Sequence, residues 1–105
     1  MDVTDEILVK KVKQSILSID KDAELILFGS RARGDAREDS DWDFLFLTSM
    51  AITNDLRQTL VMKMLDVELE ENAIVTVIPK NKVDWKTKYP YTPLYRNIKE
   101  EGIGI

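Results

Sequence analysis

The chain opens with apolar residues at helical spacing. Ile7, Leu8, Val12, Ile16 and Ile19 share one side, while Lys10, Lys11, Lys13 and Gln14 fill the other; this predicts an amphipathic helix to about residue 19. Thr4 can cap it, with Asp5 and Glu6 in its electropositive first turn. After the polar Asp20-Lys21-Asp22 the period changes. Ala23 to Phe28 is a short apolar run stopped by Gly29, the pattern of a buried strand. Ser30 to Ser40 holds little apolar material; a short helical turn can start at Ser30, and Gly34-Asp35 marks a turn. Asp43 to Leu47 is a second strand, almost continuously apolar after its acidic start.

The second half repeats this alternation. Thr53 or Asn54 can cap a longer helix that carries Leu56, Leu60, Val61, Met64, Leu65 and Val67 inward and ends in the acidic Glu68, Glu70 and Glu71. Ala73 to Ile78 is a third strand, ended by Pro79. Lys80 to Tyr91 reads as irregular. Thr92 then caps a last helix with Pro93 at its first position, and Gly102 closes it. The order is helix, strand, turn, strand, helix, strand, loop, helix: a single-domain α/β layered arrangement around a small sheet. The aromatics Trp85, Tyr89, Tyr91 and Tyr95 gather in the C-terminal region. They can form a docking surface, a lid, or a seal over the open side of a small core.

Composition narrows the chemistry. With 105 residues, 44% hydrophobic and 32% charged, the chain can bury one core and is not of disordered composition. Its net charge of −4 provides no overall field for nucleic acid, which makes nucleic acid an unlikely main partner. The absence of cysteine and histidine excludes disulfides, thiolate metal sites, Ser-His triads and histidine acid–base work. A metal would have to be held by oxygen, which favours Mg²⁺ or Mn²⁺. No signal peptide or apolar run of membrane-spanning length is evident, so the expected location is the cytoplasm.

The chemistry-bearing residues lie between Phe28 and Phe44. Asp41 and Asp43, two apart at a strand start, are expected on one face, with Cα atoms roughly 6–7 Å apart and Trp42 on the other. Such a pair repels itself unless a cation lies between, and it leaves coordination positions open for water and phosphate. Gly29-Ser30 directly follows a strand, where a glycine permits close backbone approach and first-turn N–H groups favour anions. Arg31 and Arg33 can neutralise a polyphosphate, with bidentate geometry that lysine lacks. A phosphate turn at one strand's end beside a metal pair at the next strand's start suits phosphoryl or nucleotidyl transfer. No Gly-Lys-Ser/Thr follows, so this is not a Walker-type loop.

Gly29-Ser30-Arg31-Ala32-Arg33-Gly34 followed by Ser40-Asp41-Trp42-Asp43 resembles the signature of the polymerase-beta-like nucleotidyltransferase superfamily, and most closely its minimal nucleotidyltransferase (MNT) domains. The ending Ile98-Lys99-Glu100-Glu101-Gly102 is similar to the Ile-x-x-Glu-Gly close of such small domains. The resemblance implies a nucleotidyltransferase fold: α/β (α+β), a small mixed sheet of about three to four strands with flanking helices. It implies that Gly29 and Ser30 hold the β- and γ-phosphates of ATP or another nucleoside triphosphate, with Arg33 and Arg31 nearby, and that Asp41 and Asp43 bind Mg²⁺. An acceptor hydroxyl would attack the α-phosphate and release pyrophosphate. It further implies a toxin–antitoxin setting with a HEPN-type protein partner, to a tyrosine of which some relatives transfer AMP; a homo-oligomer is the other assembly. The family's third carboxylate, in the third strand, aligns with Thr76, so the two-ion site is expected to be incomplete unless Glu68 or Glu70 replaces it in space. The alternative to an enzyme is therefore a weakened nucleotide- and metal-binding module that acts by complexing a partner.

Overall fold

The computed structural model describes all residues, Met1–Ile105. Helix α1 (Val3–Ile19) is capped by Asp2, two residues earlier than the Thr4 cap expected. Asp2 accepts from the Asp5 N–H at 2.8 Å while Asp5 accepts from the Asp2 N–H at 3.4 Å. This reciprocal box satisfies two otherwise orphaned donors, which a Thr4 cap alone does not. Leu8, Val9, Val12 and Ile16 face inward, whereas Ile7 is exposed. Strand β1 (Glu24–Phe28) leads through Gly29 into the one-turn helix α2 (Ser30–Arg33), and β2 (Trp42–Thr48) follows.

Helix α3 (Asn54–Glu71) is capped by the Thr53 side chain and buries Leu56, Leu60, Met64 and Val67. Val61 and Leu65, expected to face inward, are instead 67% and 43% exposed. Each lies one position beyond a buried residue, rotated roughly 100° away from the sheet, at 3.6 residues per turn. Strand β3 (Val75–Asn81) runs through Pro79 rather than stopping at it. It lies at the sheet edge, where one side is free and a missing N–H need not break the ladder.

The stretch expected to be irregular contains helix α4 (Lys82–Lys88). The Asn81 side chain accepts from the Val83 and Asp84 N–H groups at 3.0 and 3.2 Å, a side-chain cap at a helix too short to display periodicity. Helix α5 (Pro93–Glu101) has the Thr92 cap and the Gly102 end read from the sequence. A two-residue strand, β4 (Ile103–Gly104), completes the sheet.

The sheet order is β3-β2-β1-β4, with β2–β3 parallel and the other pairs antiparallel. It is the small mixed sheet with flanking helices expected of the nucleotidyltransferase fold. Trp42, Phe44 and Phe46 point into a large core with α1 and α3, while Leu45 and Leu47 meet Trp85 and Ile98 on the other face. A central strand covered on both sides must be apolar throughout, which explains the unbroken run in β2. Trp85 stacks near Tyr89 and Tyr95, with ring centres 5.7 and 5.0 Å away. Three of the C-terminal aromatics thus close the second core; Tyr91 alone points out.

Candidate functional site

The site grows from the register of β1, β2 and β3. Asp43 pairs with Phe28 across β1–β2 and with Thr76 across β2–β3, so these side chains share the sheet face that carries α4 and α5. Asp43 stands on the face opposite Trp42. Asp41 lies just before the strand, which begins at Trp42, and is exposed where Asp43 is half-buried. The two acids therefore differ in environment as well as position. Burial pushes the Asp43 carboxyl above its usual range; the nearby Asp41 charge pushes the same way, and Arg33 opposes both.

Gly29 is what allows the turn to pass Asp43. Its φ of +77° favours glycine, and a Cβ there would lie 2.5 Å from Asp43 Oδ2. The end of β1 and the acid of β2 are thus in direct contact. Ser30 opens α2; the Ala32 and Arg33 N–H groups donate to the Gly29 carbonyl at 3.1 and 3.0 Å, while the first two helical positions, Ser30 and Arg31, precede any helical acceptor. Gly34 closes that turn in the left-handed region at φ +84°.

The two arginines have separate tasks. Arg31 donates from Nη2 to the carbonyls of Glu38 and Ser40, at 3.0 and 2.9 Å, and from Nε to Ser40. Its guanidinium also lies 4.6 Å from the centre of the Trp42 ring, a cation–π contact. It ties the 34–41 loop to the start of β2. Arg33 faces the site, paired through Nε with Asp35 at 3.2 Å and through Nη1 with both Glu101 oxygens at 3.3 Å. These acids hold its guanidinium pKa above the ordinary value, Asp35 first and Glu101 second.

Glu101 is the site residue whose role the sequence did not reveal. Its Oε1 also accepts from the Gly29 N–H at 3.1 Å. The Glu-Gly ending marked the position, but only the pairing of the last strand with β1 brings it to the turn.

Glu70 pairs with Lys11 on α1 at 2.7 Å. Glu68 accepts from the Val75 N–H at 3.0 Å and, with Thr76 and Arg57, lines a groove of about 390 Å³ between α3 and β3. No group of three or more acidic side chains is placed to hold a metal. The pair that remains still suits Mg²⁺, which commonly takes one or two carboxylates and completes its shell with water and phosphate. The raised Asp43 carboxyl beside Asp41 is a donor pair that a divalent cation would relieve.

A sequence-family model described as a nucleotidyltransferase domain matches residues 9–105. The chain belongs to the nucleotidyltransferase domain family. Solved structures share this domain's fold. A toxin–antitoxin crystal structure with AMP-PNP aligns with a TM-score of 0.66 and 18% identity, covering 90% of this chain and 69% of that one. A mutant MntA–HpeT toxin–antitoxin structure aligns at 0.65 and 17%, covering 92% and 70%. A candidate minimal nucleotidyltransferase aligns at 0.60 and 24%, covering all of this chain and 97% of that one. No curated protein matches the nucleotidyltransferase domain described here.

Proposed function

We propose that this nucleotidyltransferase domain is Mg²⁺-dependent and transfers AMP from ATP to a hydroxyl of a partner protein, as the antitoxin-like member of a pair with a HEPN-type protein. The observation that carries this reading is the contact between the Gly29 turn and Asp43, where a Cβ would come within 2.5 Å of Oδ2. A triphosphate on that turn lies directly beside the acids. Gly29 and Ser30 receive the β- and γ-phosphates, Arg33 balances their charge, and Arg31 keeps the loop that presents Asp41 in place. Asp41 and Asp43 hold Mg²⁺, which when bound neutralises phosphate charge and makes the α-phosphorus more electrophilic. The acceptor hydroxyl gives its proton to solvent and its oxygen forms a bond to that phosphorus as the bond to the β-phosphate oxygen breaks, and pyrophosphate leaves. The toxin–antitoxin assemblies among its structural neighbours support a protein as acceptor.

One observation favours a second reading. Thr76 pairs in register with Asp43, and a neutral hydroxyl there neither accepts the acceptor's proton nor charges a second metal position. A module that binds nucleotide and metal, and acts by complexing its partner, needs neither. Incubation with α-labelled ATP, Mg²⁺ and the protein encoded beside it separates the readings. Transfer predicts label on the partner that is lost in Asp41→Ala and Asp43→Ala; saturable nucleotide binding without label would establish the binding module instead.

A further inference from the structure

In the antiparallel pairing of β1 with β4, Leu27 faces Ile103 and Ile26 faces Gly104. Continued by two residues, this register sets Gly29 opposite Glu101. There the chain is still helical, because α5 ends at Glu101, so its backbone does not have the extended geometry of a ladder partner. The Glu101 side chain takes that place and accepts the Gly29 N–H. Gly102 makes the close approach feasible: a Cβ on it would lie 2.4 Å from the Ile98 carbonyl oxygen and 2.8 Å from Ile26 Cγ2.

The carboxylate has a second partner. Both of its oxygens lie 3.3 Å from Arg33 Nη1. Only 20% of the Glu101 side chain is exposed, against 62% for Asp35, the other acid on Arg33. Glu101 is thus the more firmly placed of the two. An acid at the C-terminal end of a helix is also on the unfavourable side of the helix dipole, so its placement depends on the donors it meets across the turn.

We propose that Glu101 is a positioning residue: its charge aims Arg33 at the phosphate turn while its Oε1 anchors the Gly29 backbone. This rests on the triphosphate reading of that turn. The C-terminal helix therefore takes part in nucleotide binding although it supplies no phosphate contact of its own.

The test is the binding of AMP-PNP with MgCl2 by titration calorimetry, for the full chain and for Glu101→Gln, Glu101→Ala, Arg33→Ala and the Glu101→Gln/Arg33→Ala double variant. Thermal melts confirm folding. Glutamine retains an acceptor for the Gly29 N–H but carries no charge to attract the guanidinium, so a purely structural role leaves Glu101→Gln like the wild type. The proposal expects Glu101→Gln to bind about tenfold more weakly, the scale of one charge-assisted hydrogen bond. It also expects no further loss when that change is added to Arg33→Ala. Wild-type affinity in Glu101→Gln, tighter binding, or additive losses would overturn it while leaving the triphosphate reading intact. A wild-type chain that binds no AMP-PNP overturns both.

Discussion

Asp43 is an acid whose charged form is disfavoured by its position. It is a half-buried acid with a second acid nearby, and its carboxyl is raised above the ordinary range by burial first and Asp41 second. A raised acid holds its proton more tightly in the folded state, so its penalty is absent at acid pH and grows as pH rises through the folded value. Asp43→Asn is therefore expected to melt higher than the wild type at neutral pH, with the gap closing as pH falls towards the ordinary carboxylate value of about 4. Melting curves across that range check the sign. The same variant should lose any stabilisation by MgCl2. Gly29→Ala tests the neighbouring constraint. Alanine at this positive φ should cost about 1–3 kcal/mol of stability. Transfer or nucleotide binding should fall further still, because the new methyl displaces Asp43 Oδ2; denaturant melts paired with binding titrations separate the two effects.

Among the elements, the first helix is fastened to the sheet at its end. Asp20 follows α1 and accepts from the Thr48 hydroxyl at 2.6 Å and the Asp22 N–H at 3.0 Å. Thr48 is fully buried at the end of β2. These bonds, Thr48 first, hold the Asp20 carboxyl below its ordinary range. The stability they supply is present above the unfolded carboxylate value and is lost as pH falls through the lower folded one. Asp20→Ala should destabilise by about 1–3 kcal/mol, since it deprives a buried hydroxyl of its acceptor, and urea melts should show a weaker acid dependence than the wild type. Trp85→Ala tests the opposite sheet face. Removal of the ring that joins α4 to β2 and α5 should cost about 3–5 kcal/mol, read as a fall in the urea midpoint.

For the whole molecule, the site joins parts distant in the chain: Gly29 and Arg33 from the first third, Thr76 from β3, and Glu101 from the C-terminal end. A ligand bound only by the folded arrangement stabilises all of it. Mg²⁺ with AMP-PNP at about one hundred times Kd should add roughly 2.7 kcal/mol, seen as a higher melting temperature that EDTA reverses. No helix is long and apolar enough to cross a membrane. The groove between α3 and β3, with the exposed Val61 along it, and the exposed Leu65 show why apolar spacing alone misassigned the inward face of α3. The pattern counts candidates, but the sheet and α1 cover only one stripe of them.

Local sequence determined the main helices and three strands, because periodicity and caps such as Thr53 and Thr92 act over a single turn or pleat. It also determined which residues could serve the site: Gly29, Ser30, the two arginines and the two acids all lie within the fifteen residues from Gly29 to Asp43. Tertiary structure alone decided that Asp41 stands outside the strand while Asp43 is half-buried, and that Arg31 holds the loop while Arg33 faces the turn. It also brought Thr76 beside Asp43 and Glu101 opposite Gly29. Those outcomes depend on strand register and on β4, a strand of two residues too short to show any alternation. Register is a property of pairs of segments, and neither partner contains it alone.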